Sequence, residues 1–215
     1  MPDVMRLSEV DRLDVTILMD NAVDLLLPSG PGVRRTRLDV ERPSLLGEHG
    51  VSMLVTAGRG DASATVLFDA GLSRSGLLHN MDVLGVDARD IQAIVLSHGH
   101  GDHTGGLAGL MQRRGRARLP LILHPDAFLR RKVVLPDGSE VRLPPPDRRA
   151  LGAEGIDVIE EQKPSYLVGG LLLVTGQVPR MVDFESGFPI HHAEVNGRWQ
   201  PDPWVHDDQA VVAHA

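Results

Sequence analysis

Ser97-His98-Gly99-His100-Gly101-Asp102-His103-Thr104-Gly105-Gly106 sets three histidines and one carboxylate within six residues. The run before it, Ile91-Gln92-Ala93-Ile94-Val95-Leu96, is nearly continuous in apolar residues, as a strand covered on both faces is. After it, Thr104 followed by Leu107, Leu110 and Met111 has helical spacing, with Thr104 at the N-cap position. The four side chains therefore fall on a strand-to-helix turn, where glycine can take backbone angles closed to other residues. In extended backbone, residues two apart project to the same side, so His98 and His100 can approach one cation while Asp102 and His103 face a neighbouring position. Neutral imidazoles with a carboxylate suit zinc first, with iron or manganese as alternatives.

Outward from this turn the chain reads as mixed α and β. Residues 13–19 alternate as a first strand ending at Asp20-Asn21, and 28–43 is a surface loop rich in Gly and Pro. Residues 51–57 and 64–69 read as strands joined through Gly58-Arg59-Gly60-Asp61, a hairpin by composition. Leu77, Leu78, Met81 and Leu84 are spaced for a short helix that stops near Gly85. Beyond the turn, a strand at 121–123 leads into His124-Pro125, and 130–146 is a hairpin insertion around Pro136-Asp137-Gly138. Strands follow at 156–159 and 171–175, and 177–204 reads as irregular.

Composition narrows the class. The 215 residues suit one domain, taken as 1–215, and 42% hydrophobic with 24% charged residues is the balance of a soluble globular protein. A formal charge of -7 and only 3% aromatic residues argue against nucleic acid as a partner. The longest basic concentration, Arg113-Arg114-Gly115-Arg116-Ala117-Arg118, reads as a solvated helix C-terminus rather than a phosphate patch. With no cysteine, neither a disulfide nor a thiolate ligand is available. The opening Met1-Pro2-Asp3-Val4-Met5-Arg6 holds no apolar signal core, and no run approaches about 18 apolar residues, so a cytoplasmic protein with no membrane partner is expected.

The pattern His98-x-His100-x-Asp102-His103 after a buried strand resembles the signature of the metallo-beta-lactamase superfamily. A closer resemblance is to its subfamily of dihydropterin ribofuranosyl-aminobenzene phosphate synthases. That likeness is carried by Asp20-Asn21, Glu48-His49-Gly50, Phe68-Asp69-Ala70-Gly71, His124-Pro125-Asp126-Ala127-Phe128, Thr175-Gly176-Gln177-Val178-Pro179-Arg180, Phe184-Glu185 and Asp207-Asp208-Gln209-Ala210. It implies an α/β fold of the αββα four-layer sandwich type, with two metal sites in the complete fold. It also implies further ligands from a second half, after the Asp207 to Ala210 tetrad, where the chain stops at Ala215. The fold is therefore expected to be incomplete at its carboxyl end, with apolar strand faces exposed. A complementing chain or a homo-oligomer would finish the site. His191-His192, in a loop on this reading, His206 and His214 are taken as facing solvent or standing behind the ligands rather than as replacement ligands.

On the chemistry, metal-activated water attacking a carbonyl or phosphoryl centre is the first expectation, with Asp102 orienting that water or taking its proton. Ser97 and Thr104 are read as stabilising the turn. Asn21, Glu48, His49, Asp69, Arg180 and Asp208 are candidates for contacts behind the ligands or with a small, possibly phosphorylated substrate. Arg180 and the loop near Arg130-Arg131 are the candidates for phosphate oxygens. The resemblance implies a second possibility, a transferase condensing a pterin diphosphate with a ribosyl-aminobenzene phosphate. A third is a truncated, inactive metal-binding module or one subunit of a split enzyme.

Overall fold

Alternate residues of the central strands enter two different cores, and this alternation sets the layers. The computed structural model describes residues 5–115 and 118–215. In chain order the elements are β1 (Arg12–Met19), β2 (Ser52–Arg59), β3 (Ala62–Phe68), α1 (Arg74–Leu84), β4 (Ala93–Val95), α2 (Gly101–Thr104) and α3 (Leu107–Arg114). They continue with β5 (Leu119–Leu123), β6 (Arg131–Val134), β7 (Glu140–Leu143), α4 (Arg148–Ala153), β8 (Ile156–Glu160), β9 (Ser165–Leu167), β10 (Leu172–Val174), β11 (His191–Val195), β12 (Arg198–Pro201) and β13 (Val211–Val212). Six strands form one sheet in the order β1-β2-β3-β4-β5-β8, antiparallel as far as β3 and parallel from there on.

Leu67 of β3, Ile94 of β4 and Leu121 and Leu123 of β5 join Leu77, Met81, Leu110 and Met111 of α1 and α3 in one core. Their sequence neighbours Val66, Val95 and Ile122 join Leu167, Leu172 and Val174 in another, against the three-stranded sheet β13-β10-β9. Period two thus feeds both faces of the sheet. Helices, sheet and second sheet are the first three layers that the resemblance implied. The expectation of bare strand faces needs correcting, because β9 and β10 already cover the far side of β3, β4 and β5. Exposure is left on the edge strand β1, where Leu13, Val15 and Ile17 are 38%, 52% and 46% accessible.

Three local expectations change. Thr104 does not cap the helix after the turn: it ends α2, which begins directly after His100, and Gly106 takes the N-cap position of α3. Gly99, Gly101, Gly105 and Gly106 all keep φ outside the left-handed region, and all but Gly101 serve close approach rather than unusual angles. A Cβ on Gly99 would lie 2.1 Å from the Ala127 carbonyl oxygen, and one on Gly105 1.7 Å from that of Leu72. The stretch 177–204 is not irregular throughout, because β11 and β12 form a hairpin whose two-residue turn, Asn196-Gly197, has φ of 52° and 74°. That hairpin extends β6 and β7 into a four-stranded sheet, β12-β11-β6-β7, and places His191 and His192 on a strand.

Of the basic run, Arg113 pairs with Asp82 at 2.6 Å and Arg114 donates to the Ala88 carbonyl at 2.7 Å. Arg116 and Ala117 lie outside the described residues, as do Met1 to Val4 of the opening segment. Arg131, expected in an exposed basic loop, is buried on β6. Its guanidinium meets Asp202 at 2.9 Å and Asp207 at 2.6 Å, and donates to the Asp126 carbonyl at 3.1 Å. Removing one member of such a triad strands the others without a counter-charge. Arg131→Met is therefore expected to lower unfolding free energy by about 3–5 kcal/mol, read from urea unfolding at unchanged m-value.

Candidate metal centre

Asp69 follows β3 in the left-handed region, with φ 58°, a conformation that Asp tolerates better than most residues but that still costs about 1–3 kcal/mol. The backbone is held there from both sides: Asp69 N donates to Val95 O at 2.9 Å, and Ser52 Oγ donates to Asp69 O at 2.8 Å. The fully buried carboxylate then reaches across to the end of β4. Oδ1 accepts from Ser97 N at 2.7 Å, while Oδ2 accepts from Ser97 Oγ and from His103 Nδ1, each at 2.7 Å. Ser97 Oγ in turn accepts from His98 Nδ1 at 2.9 Å.

These bonds decide which ring nitrogens are free. With Nδ1 engaged, His98 and His103 each present Nε2. His98 Nε2 stands 3.0 Å from His100 Nδ1, and His103 Nε2 stands 3.4 Å from Asp102 Oδ2. The four side chains thus form two donor pairs, as the spacing suggested. Two nitrogens on one tetrahedral zinc, each about 2.0–2.1 Å from it, are about 3.3 Å apart, close to the His98 and His100 separation. Among the described residues, no three His, Asp or Glu side chains surround one point as a finished metal cage. The donor set and its spacing fit a divalent cation.

Charge divides the same way. Burial, together with the His103 and His100 rings, pushes His98 down to about 2, and burial with Arg131 pushes His100 down to about 4. Both are neutral at ordinary pH, the state in which imidazole ligates. Burial also opposes a proton on His103, but its bonds to Asp102 and Asp69 outweigh that and raise it to about 9. The bond from His103 holds the Asp102 carboxyl well below the usual carboxylate range, against burial.

The remaining predicted residues lie around this turn in different ways. His49 is exposed, with Nε2 3.5 Å from Asp102 Oδ2, and Gly50 beside it packs so closely that a Cβ would lie 2.1 Å from the Asp102 carbonyl oxygen. Glu48 faces away and caps α1, accepting from Ser73 N at 2.8 Å and Ser73 Oγ at 2.5 Å. Asn21 is exposed, its backbone N–H bonded to the Asp20 side chain at 2.7 Å. Arg180 is taken up by Glu185 at 3.0 Å and Asp208 at 2.6 Å, so neither its guanidinium nor the Asp208 carboxylate is free. His206 lies near Trp204, with rings 6.2 Å apart, and His214 pairs its backbone with Glu9.

Two residues contribute more than the sequence reading gave them. Asp207, rather than Asp208, holds the turn: its Oδ2 accepts from Gly99 N, between the two histidines, at 2.8 Å. Adjacent aspartates give no signal of which one faces inward. His191 stands with its ring centroid 5.2 Å from that of His100. Burial lowers its pKa, with Asp202 and Asp102 opposing and Arg131 and His192 adding to the effect. The Asn196-Gly197 turn signal places its strand.

The family model described as the metallo-beta-lactamase superfamily matches residues 46–176, which take in the whole turn and Asp69. The chain belongs to the metallo-beta-lactamase superfamily. Over 81 residues it is 36% identical to the 7,8-dihydropterin-6-methyl-4-(beta-D-ribofuranosyl)-aminobenzene-5'-phosphate synthase of Methanocaldococcus jannaschii, covering 38% of this chain and 27% of that protein. Over 64 residues it is 45% identical to a Ribonuclease Z of Nocardia farcinica, covering 29% of this chain and 19% of that protein. Among solved structures, the metallo-beta-lactamase fold protein YhfI from Bacillus subtilis is similar with a TM-score of 0.44 and 17% identity, over 87% of this chain and 60% of that one. The matched stretches span less than a third of either of these two curated relatives. Among the described residues no helix is long and apolar enough to cross a membrane.

Replacing the Asp69 carboxylate tests the geometry. Asp69→Asn turns one acceptor oxygen into a donor and breaks the bond that leaves His103 Nε2 free. Zinc affinity, measured by chelator competition, is expected to fall about 10–100-fold while far-ultraviolet circular dichroism is unchanged.

Proposed function

We propose that the protein is a metal-dependent hydrolase acting on a small, possibly phosphorylated substrate. The observation that carries this reading is the pair of donor sets on one turn, His98 Nε2 with His100 Nδ1 and Asp102 Oδ2 with His103 Nε2. His98, His100, Asp102 and His103 would hold the cations, with zinc the best match to nitrogen-rich donors and iron or manganese alternatives. Such a cation supplies Lewis acidity, making a water acidic near neutrality and polarising a carbonyl or phosphoryl centre.

The chain's own residues do the rest. Asp102, ionised and partly exposed, is placed to orient a water and receive its proton. Asp69 fixes the tautomer and orientation of His103, and Ser97 does the same for His98. His49 overhangs Asp102 from the exposed side, where a substrate enters. Phosphate contacts from Arg180 would require it to leave Glu185 and Asp208.

The second reading, a transferase joining a pterin diphosphate to a ribosyl-aminobenzene phosphate, is favoured by the 36% identity with the synthase. It would use the same turn, with the ribosyl-aminobenzene phosphate in place of water as the attacking group and diphosphate as the leaving group. The third reading is a metal-binding module that needs a complementing chain or second copy.

One assay separates them. Zinc-loaded protein is incubated with a panel of carboxylic esters, phosphomonoesters and phosphodiesters, and separately with the pterin diphosphate pair. Hydrolysis that falls about 100- to 10,000-fold in Asp102→Asn is expected. Condensation without hydrolysis shifts the assignment to the transferase. Firm zinc binding with neither reaction leaves the inactive module.

A further inference from the structure

A ligating imidazole nearly always gives its second ring nitrogen to a partner, which fixes the tautomer and turns the ring. In this turn that partner is visible for two of the three histidines. His98 Nδ1 bonds Ser97 Oγ at 2.9 Å, and His103 Nδ1 bonds Asp69 Oδ2 at 2.7 Å. His100 is different: Nδ1 faces His98, so Nε2 is the nitrogen that needs a partner, and Nε2 is buried with no hydrogen bond. A buried ring nitrogen left in that state costs about 1–3 kcal/mol.

Beside His98, the ring that packs edge-on to His100 is His191, with centroids 5.2 Å apart and planes at 86°. Its Nδ1 is likewise buried with no hydrogen bond. Two imidazoles sharing a straight N–H···N bond of about 3 Å have centroids a little over 5 Å apart, which is the separation of these two rings.

The placement of His191 is not incidental. It opens β11 opposite Val133 of β6, two residues from Arg131. Arg131 bonds Asp207, which accepts from Gly99 N between His98 and His100. The His191 backbone is fixed by bonds to Phe188 O and from Asp202 N, each 3.0 Å, and the Phe188 ring centroid stands 5.0 Å from that of His191. The strand that carries His191 is therefore tied to the turn that carries His100.

We infer that His191 is a positioning residue whose Nδ1 accepts the Nε2 proton of His100, holding His100 in the tautomer that presents Nδ1 beside His98 Nε2. This rests on the reading of the turn as a metal centre. It adds a residue from outside the motif and from outside residues 46–176 that the family model matches.

The experiment compares zinc affinity, by chelator competition, with the ring-nitrogen NMR spectrum of the zinc-loaded protein. His191→Phe keeps a ring against Phe188 and His100 but has no acceptor, whereas His191→Asn places an acceptor oxygen near the position of Nδ1. Zinc affinity is expected to fall about 10–100-fold in His191→Phe and to recover largely in His191→Asn. The Nε2 proton signal of His100 is expected to be protected from exchange in the wild type and in His191→Asn, and lost in His191→Phe. His192→Ala is the control, because that ring faces the Ile190 carbonyl at 3.2 Å and should bind as the wild type does. Equal affinity in His191→Phe and wild type would remove the role of His191 and leave the metal centre intact. So would equal loss in the Phe and Asn variants. A wild-type protein that takes up no zinc would overturn the metal centre, and this inference with it.

Discussion

The buried carboxylate of Asp69 is the constraint from which the rest of the site follows. It sits at the end of β3 in a strained backbone conformation and accepts three hydrogen bonds from the end of β4 and from α2. A desolvated carboxylate without partners is untenable, so the strand end and the helix turn must come to it. The strain of φ 58° is outweighed because charge-assisted hydrogen bonds in a buried setting each exceed the net worth of an ordinary one. Once they form, two imidazoles have only Nε2 left to offer, and a flexible turn becomes a fixed set of donors.

The same bonds sort the charges. Burial alone would leave every histidine of the turn neutral, and for His98 and His100 it does. His103 escapes because it lies between Asp69 and Asp102, and two carboxylates outweigh one desolvation. A neutral nitrogen pair and an acid-base pair therefore stand side by side within six residues.

A second anchor links the turn to residues far along the chain. Asp207, fully buried, accepts from Gly99 N and pairs with Arg131, which also holds Asp202. Burial raises the Asp207 pKa while Arg131 and the Gly99 N–H lower it, so the carboxylate depends on both partners. Through this triad the four-stranded sheet, outside the main sandwich, is attached to the motif at the glycine between its first two histidines. Gly99 meets the Ala127 carbonyl so closely that no side chain fits, which leaves its backbone N–H free to point at Asp207.

The sequence by itself determined the strand, the turn and the identities of His98, His100, Asp102 and His103, because all of these depend on local spacing and on a nearly continuous apolar run. It also gave a mixed α and β chain; the layering came from the family resemblance, and that β9 and β10 cover the second face of β3, β4 and β5 was decided by the tertiary structure. Tertiary structure alone decided which nitrogens are free, because that follows from Asp69 reaching Ser97 and His103 across 28 and 34 positions. It decided that Arg131 is buried and Arg180 neutralised, since a charge's partner lies in space and not in sequence. It also decided that His191 stands beside His100, 91 positions along the chain, through a register set by β6 and an ion triad that no spacing rule encodes.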